Sequence, residues 1–214
     1  MKILISVLLS LMFLSSNYAD SKYENAMKEN LNKIGECKTA EDYINVANNF
    51  ERIALAEKDK WLPYYYDSFL YVLASFADSS KTQKDTYLDK AVESANKADS
   101  LEPDNSEIYT LKGMVLQARM QIDPMNRWQK YGVETKNNFE IAMKIDSLNP
   151  RPEYLIGVST YYTPEQFGGG AANAKPILER SLKKYEQFVP ANDLMPNWGK
   201  AQVEYYLNQI NQQK

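Results

Sequence analysis

The 214-residue chain contains no histidine and a single cysteine, Cys37. Without histidine the commonest general base at neutral pH and the commonest metal ligand are both missing. Ser-His-Asp triads, Cys-His dyads and most zinc sites are thereby excluded. Cys37 cannot close an internal disulfide, and as a nucleophile it would lack an imidazole partner. Basic clusters are also absent and the formal net charge is -3, so there is no electrostatic footprint for nucleic acid and no basic amphipathic face for a membrane surface. Glycine is sparse, with 8 in all; three are consecutive, Gly168-Gly169-Gly170, but they lack the Lys-Ser/Thr of a phosphate loop, and no Gly-x-Ser-x-Gly elbow occurs. Acid pairs such as Glu41-Asp42 and Asp85-Asp89 read as solvated charges near helix starts. The expectation is a protein that is not an enzyme and has no cofactor and no metal.

Long apolar runs are scarce too. One, Ile3 to Leu14, follows Met1-Lys2 and precedes Ser15-Ser16-Asn17-Tyr18-Ala19. About a dozen residues cannot span roughly 30 Å of hydrocarbon as a helix, and the flanks are those of a secretory signal cleaved near Ala19. Residues 1–19 are therefore expected to be a signal peptide and residues 20–214 a single domain, periplasmic or otherwise exported. No stable membrane insertion is expected after cleavage. Cys37 lies too far from the run to be a lipid anchor.

What the chain does have is a repeat. Asp99-Ser100-Leu101-Glu102-Pro103 is followed by Tyr109 and Gly113, and Asp146-Ser147-Leu148-Asn149-Pro150 by Tyr154 and Gly157. Before each Pro a trio recurs at spacings of four and three: Ala91, Ala95 and Ala98, then Asn138, Ala142 and Ile145. Val46, Phe50 and Ile53 repeat it upstream, and Ala174, Leu178 and Ser181 downstream. Such spacing puts each trio on one helix face, where small side chains let another helix approach. A hairpin of this kind leaves one apolar face bare and must stack on its neighbours.

This pattern resembles the tetratricopeptide repeat family over roughly residues 22–190. Tyr109 and Gly113 stand where that motif has Trp and Gly, and Trp61 takes the aromatic position one repeat earlier. The trios lie about 45, 47 and 36 residues apart against the family's 34, so the first two intervals must hold longer helices or loops. The fold expected is all-α, a right-handed solenoid of about four helical hairpins with a C-terminal capping helix. Residues 162–170, Tyr-Thr-Pro-Glu-Gln-Phe-Gly-Gly-Gly, with Ala174, Leu178 and the late Pro196-Asn197-Trp198-Gly199-Lys200-Ala201, also look like exported repeat proteins of Bacteroidetes. The glycine-plus-helix element is similar to the T component of tripartite periplasmic transporters, which implies an accessory role in small-solute uptake.

Helices are expected over Ser21 to Gly35; from Thr39, whose Asp42 completes a capping box; over Trp61 to Phe76, Lys84 to Leu101, and from Asn105 or Ser106 to Gln121; from Pro124 to Leu148, bent or split at Gly132; and over Pro152 to Tyr162, Ala171 to Phe188 and Asn197 to Ile210. Asp78 to Gln83 and Pro190 to Pro196 read as turns. The last helix offers Trp198, Ala201, Tyr205 and Leu207 to the open end of the stack.

Aromatics are the richest feature, with 16 tyrosines. Trp61, Tyr65 and Phe69 share one face at i, i+4 and i+8 and read as core, while Tyr64 and Tyr71, offset from it, are candidate ligand contacts on a concave face. Tyr161, Tyr162, Phe167, Gly168, Gly169 and Gly170 form a second candidate patch. The functional expectation is an exported scaffold that binds a protein or peptide noncovalently. The alternative is a periplasmic accessory that holds a small apolar ligand in a pocket of tyrosines and the glycine loop, with a hydrolase a distant third.

Overall fold

The computed structural model describes residues 21–212, and among these the secondary structure is entirely helical. The expected signal peptide lies outside the described residues. Residues 21–34 form α1, followed by α2 (Ala40–Ala56), α3 (Trp61–Ala77), α4 (Lys81–Leu101), α5 (Ser106–Ile122), α6 (Pro124–Ile145), α7 (Arg151–Tyr162), α8 (Ala171–Gln187) and α9 (Lys200–Gln212), with a 3-10 turn at Glu165–Phe167.

Local chemistry sets the starts. Thr39 and Asp42 form the capping box of α2, the Asn105 side chain accepts from the amides of Glu107 and Ile108 at the head of α5, and Pro124 opens α6 where a missing amide costs nothing. Ser80 caps α4, which begins three residues earlier than expected because its hydroxyl accepts from Gln83 N. Two other expectations are corrected. α6 runs unbroken through Gly132, and it stops at Ile145 rather than Leu148 because Asp146 Oδ1 accepts from Leu148 N and turns the chain.

Packing follows the repeat. α3 lies against α2 and α4, α5 against α6, and α7 against α8, so most contacts are between sequence neighbours. Ala91, Ala95 and Ala98 are buried, as are Ala174, Leu178 and Ser181. Gly113 and Gly157 show why a motif glycine is needed: a β-carbon at Gly113 would overlap the Phe139 ring, and one at Gly157 would come within 2.6 Å of Leu178 Cδ2. The long intervals between the early trios are filled by α4 and α6, of 21 and 22 residues against 17 in α8. Two trio positions depart from expectation. Ile145 is 39% exposed, and in α2 Ala54 is fully buried while Ile53 only packs partly against the core.

One apolar cluster joins α1 through α7 with Leu194, and a second joins α8 and α9. Residues 188–199, between α8 and α9, are not a plain turn. They return across α3 as a strap, with the Tyr66 hydroxyl donating to Leu194 O at 2.7 Å and Trp198 Nε1 donating to the Tyr65 hydroxyl at 2.9 Å. Trp198 therefore precedes the last helix and stacks on Phe69 at 5.0 Å instead of covering the end of the stack.

Candidate functional site

α3 presents two different faces. Tyr65 and Phe69 meet the strap at Trp198 and are buried as expected, whereas Trp61, also read as core, packs edge-on against Tyr65 and is only half-buried. Tyr64 and Tyr71 are only half-buried. The Tyr71 hydroxyl is pushed up to about 12 by burial and by the acids Asp67, Glu51 and Glu93. Tyr71 thus stands toward α2 and α4, and both candidate tyrosines keep part of their surface open.

In the second candidate patch the glycines form a closed turn after α7. All three glycine amides are used inside the turn: Gly168 N donates to Glu165 O, Gly169 N to Pro164 O and Gly170 N to Thr160 O, at 2.9 to 3.2 Å. None is left to bind an anion. Gly168 and Gly170 have φ of +80° and +90°, the left-handed values glycine tolerates. Tyr161 and Tyr162 group with Tyr205 and Tyr206 of α9, ring centroids 5.1 to 6.0 Å apart, and the hydroxyls of Tyr162 and Tyr206 lie at 3.3 Å. Tyr162, Tyr205 and Phe167 are exposed. Sequence reading did not join α9 to this patch.

The strap is anchored by a buried charge. Arg151, at the first position of α7, is wholly buried; its Nη1 donates to Glu107 Oε1 at 2.8 Å, its Nη2 donates to Pro196 O, and its guanidinium lies against the rings of Phe188 and Trp198 at 4.6 and 5.3 Å. Asn149 Nδ2 also donates to Glu107 Oε1, at 3.0 Å. Burial outweighs the neighbouring Arg151 and pushes the Glu107 carboxyl up to about 7. The Tyr185 hydroxyl donates to Trp198 O at 2.9 Å and closes the network.

Two clefts flank the strap and share Glu102 and Met195. The larger, about 530 Å³, has an aromatic and aliphatic wall of Tyr23, Trp61, Leu62 and Leu194, with Lys28 and Lys60 among its charged residues. That volume is of the size small-molecule sites occupy, roughly 300 to 1,000 Å³. Lys60 Nζ stands 5.6 Å above the Tyr23 ring, and Lys28 is held between Glu24 and Asp193 at 3.9 Å. Burial, with Glu57, Asp59 and Glu24 adding to it, raises the Tyr23 hydroxyl to about 12. It stays protonated at neutral pH. Among the described residues no cluster of acids, cysteines or histidines is arranged to hold a metal ion, and no helix is long and apolar enough to cross a membrane.

The described residues thus form an all-helical fold with an aromatic cleft beside an anchored strap. No protein-family model matches the chain, and no curated protein matches it. Among solved structures it is similar to the HusA haemophore from Porphyromonas gingivalis, with a TM-score of 0.79 and 30% sequence identity over 90% of this chain and 94% of that one. The chain belongs to the family of that haemophore. This fits the expected likeness to all-helical Bacteroidetes proteins.

Proposed function

We propose that this chain is an exported carrier of haem, built as a right-handed superhelix of tetratricopeptide-like hairpins and acting by binding alone. The observation that carries the reading is the match to a haemophore along nearly the whole of both chains. It favours small-ligand carriage over a peptide scaffold. Export is supported by the signal-like residues 1–19.

The larger cleft suits such a ligand best. A porphyrin is a flat apolar disc with two carboxylates, and Trp61, Leu62 and Leu194 offer it apolar contact while Lys28 and Lys60 offer cations. With no histidine in the chain, iron ligation falls to weaker donors at this cleft. Tyr23 and Met195 are oxygen and sulfur donors among its lining that would be available to the iron. A second reading is favoured by the exposed rings of Tyr162, Tyr205 and Phe167, a patch of the kind that marks a binding surface.

Titration of haemin into the mature chain, read by the Soret band and by tryptophan fluorescence, tests the function. The expected result is saturable one-to-one binding that Trp61→Ala weakens and that Tyr162→Ala/Tyr205→Ala leaves unchanged. Loss in the tyrosine variant alone would move the site to the patch. Absence of any saturable change with the folded parent would overturn the reading.

A further inference from the structure

The smaller cleft, about 360 Å³, opens between the α4–α5 turn, the first turn of α5, the end of α6 and the strap. Four acids line it, Glu102, Asp104, Glu107 and Asp146, and no basic residue does. Among the described residues only Glu107 of the four has an ion-pair partner, and that partner, Arg151, is wholly buried and already committed to Pro196 O and to the Phe188 and Trp198 rings.

Glu107 is 8% exposed, and its two oxygens are unequal. Oε1 accepts from both Asn149 and Arg151, whereas Oε2 is buried with no hydrogen-bond partner. A buried carboxylate oxygen left unpaired is costly, and Glu107 is one of the residues that line the cleft. Apart from Asn105 and Ser106 the rest of the lining is apolar: Val189 is 84% exposed and Ile145 39%, beside Phe188 and Met195. Unlike the larger cleft, where Lys28 and Lys60 stand among Glu24, Asp59, Glu102 and Asp193, this one has no cation to meet a porphyrin carboxylate, and a bare metal ion would leave the apolar lip without a role.

We propose that this cleft binds a primary ammonium or guanidinium group carried on a short apolar stem, with the cation toward Glu107 and the stem against Phe188, Val189 and Met195. The site is separate from haem carriage and stands whether or not the larger cleft takes a porphyrin. Either a free alkylamine or a basic side chain of a peptide carries the required chemistry.

Calorimetric titration of the full mature chain with n-butylammonium, agmatine, acetyl-Val-Arg-amide, n-butanol and Ca²⁺ tests the assignment. Saturable binding is expected for the cations and not for butanol, and preference between agmatine and the peptide identifies the source. The double variant Glu102→Gln/Asp104→Asn, at two side chains that make no ion pair in the fold, should weaken cation binding by about tenfold while leaving the melting temperature in place. Glu107→Gln should abolish it; because that change also removes the counter-charge of Arg151, the double variant decides the matter if the single one unfolds. No binding of any cation at millimolar concentration, equal binding of butanol, unchanged affinity in the double variant, or binding of Ca²⁺ alone would each overturn the proposal.

Discussion

Arg151 is the largest wholly buried side chain among the described residues, and its charge is compensated by a single carboxylate. Removing one member of a buried pair strands the other, which typically costs about 3 to 5 kcal/mol. Arg151→Ala should lose stability on that scale in urea denaturation and should loosen the strap, since Pro196 O, Phe188 and Trp198 lose their common anchor. A loss within about 1 kcal/mol of zero, the range of an exposed pair, would show that the pair is solvated. Asp67 poses the reverse case. It is the one acid in an otherwise apolar α3; Oδ2 accepts from Ser94 and Oδ1 has no partner, and burial pushes its carboxyl from 3.8 up to about 7. A carboxyl whose folded value is raised holds its proton more tightly in the folded state, so its contribution to stability is full below about 4 and is lost as pH rises to about 7. Asp67→Asn should remove that loss. Melting temperatures of parent and variant should converge near pH 4 and diverge, variant higher, at pH 8; parallel curves would contradict the assignment.

At the scale of the element, the alanine face of α4 is where close helix approach is most exposed to test. Ala95 is 1% exposed and sits between Ala91 and Ala98, both fully buried. Ala95→Trp should overpack the site at a cost of about 1 to 3 kcal/mol or more, which in a domain of this size lowers the melting temperature by at least 2 to 4 °C; a melt within a degree of the parent would contradict the packing. This face was legible in the sequence because it is periodic, as were the starts of α2 and α5, whose caps are fixed by neighbours three residues away or fewer, and of α6, which Pro124 opens. The strap was not. Trp198 finds Tyr65 at a separation of 133 residues, and no local pattern encodes such a partner. The candidate site was readable in part for the same reason. Tyr161 and Tyr162 could be singled out by composition, but their grouping with Tyr205 and Tyr206 is tertiary. Tyr23, Glu107, Met195 and Arg151 carried no signal beyond residue type, and the glycine run, conspicuous as a motif, spends its amides on its own turn.

At the scale of the whole molecule, two clefts flank the strap, one with an aromatic wall and two lysines among four acids, the other with four acids, no basic residue and an apolar lip. The likeness to the HusA haemophore is the ground for the proposal that the first of these takes a porphyrin, and with no histidine in the chain that proposal leans on contact with the ring. The most direct test is an experimental structure of the mature chain with haemin bound. The account predicts a porphyrin lying against Trp61, Leu62 and Leu194 with its carboxylates toward Lys28 and Lys60. A porphyrin seated on Tyr162 and Tyr205, or a chain that crystallises with the larger cleft unchanged and no porphyrin anywhere, would contradict it.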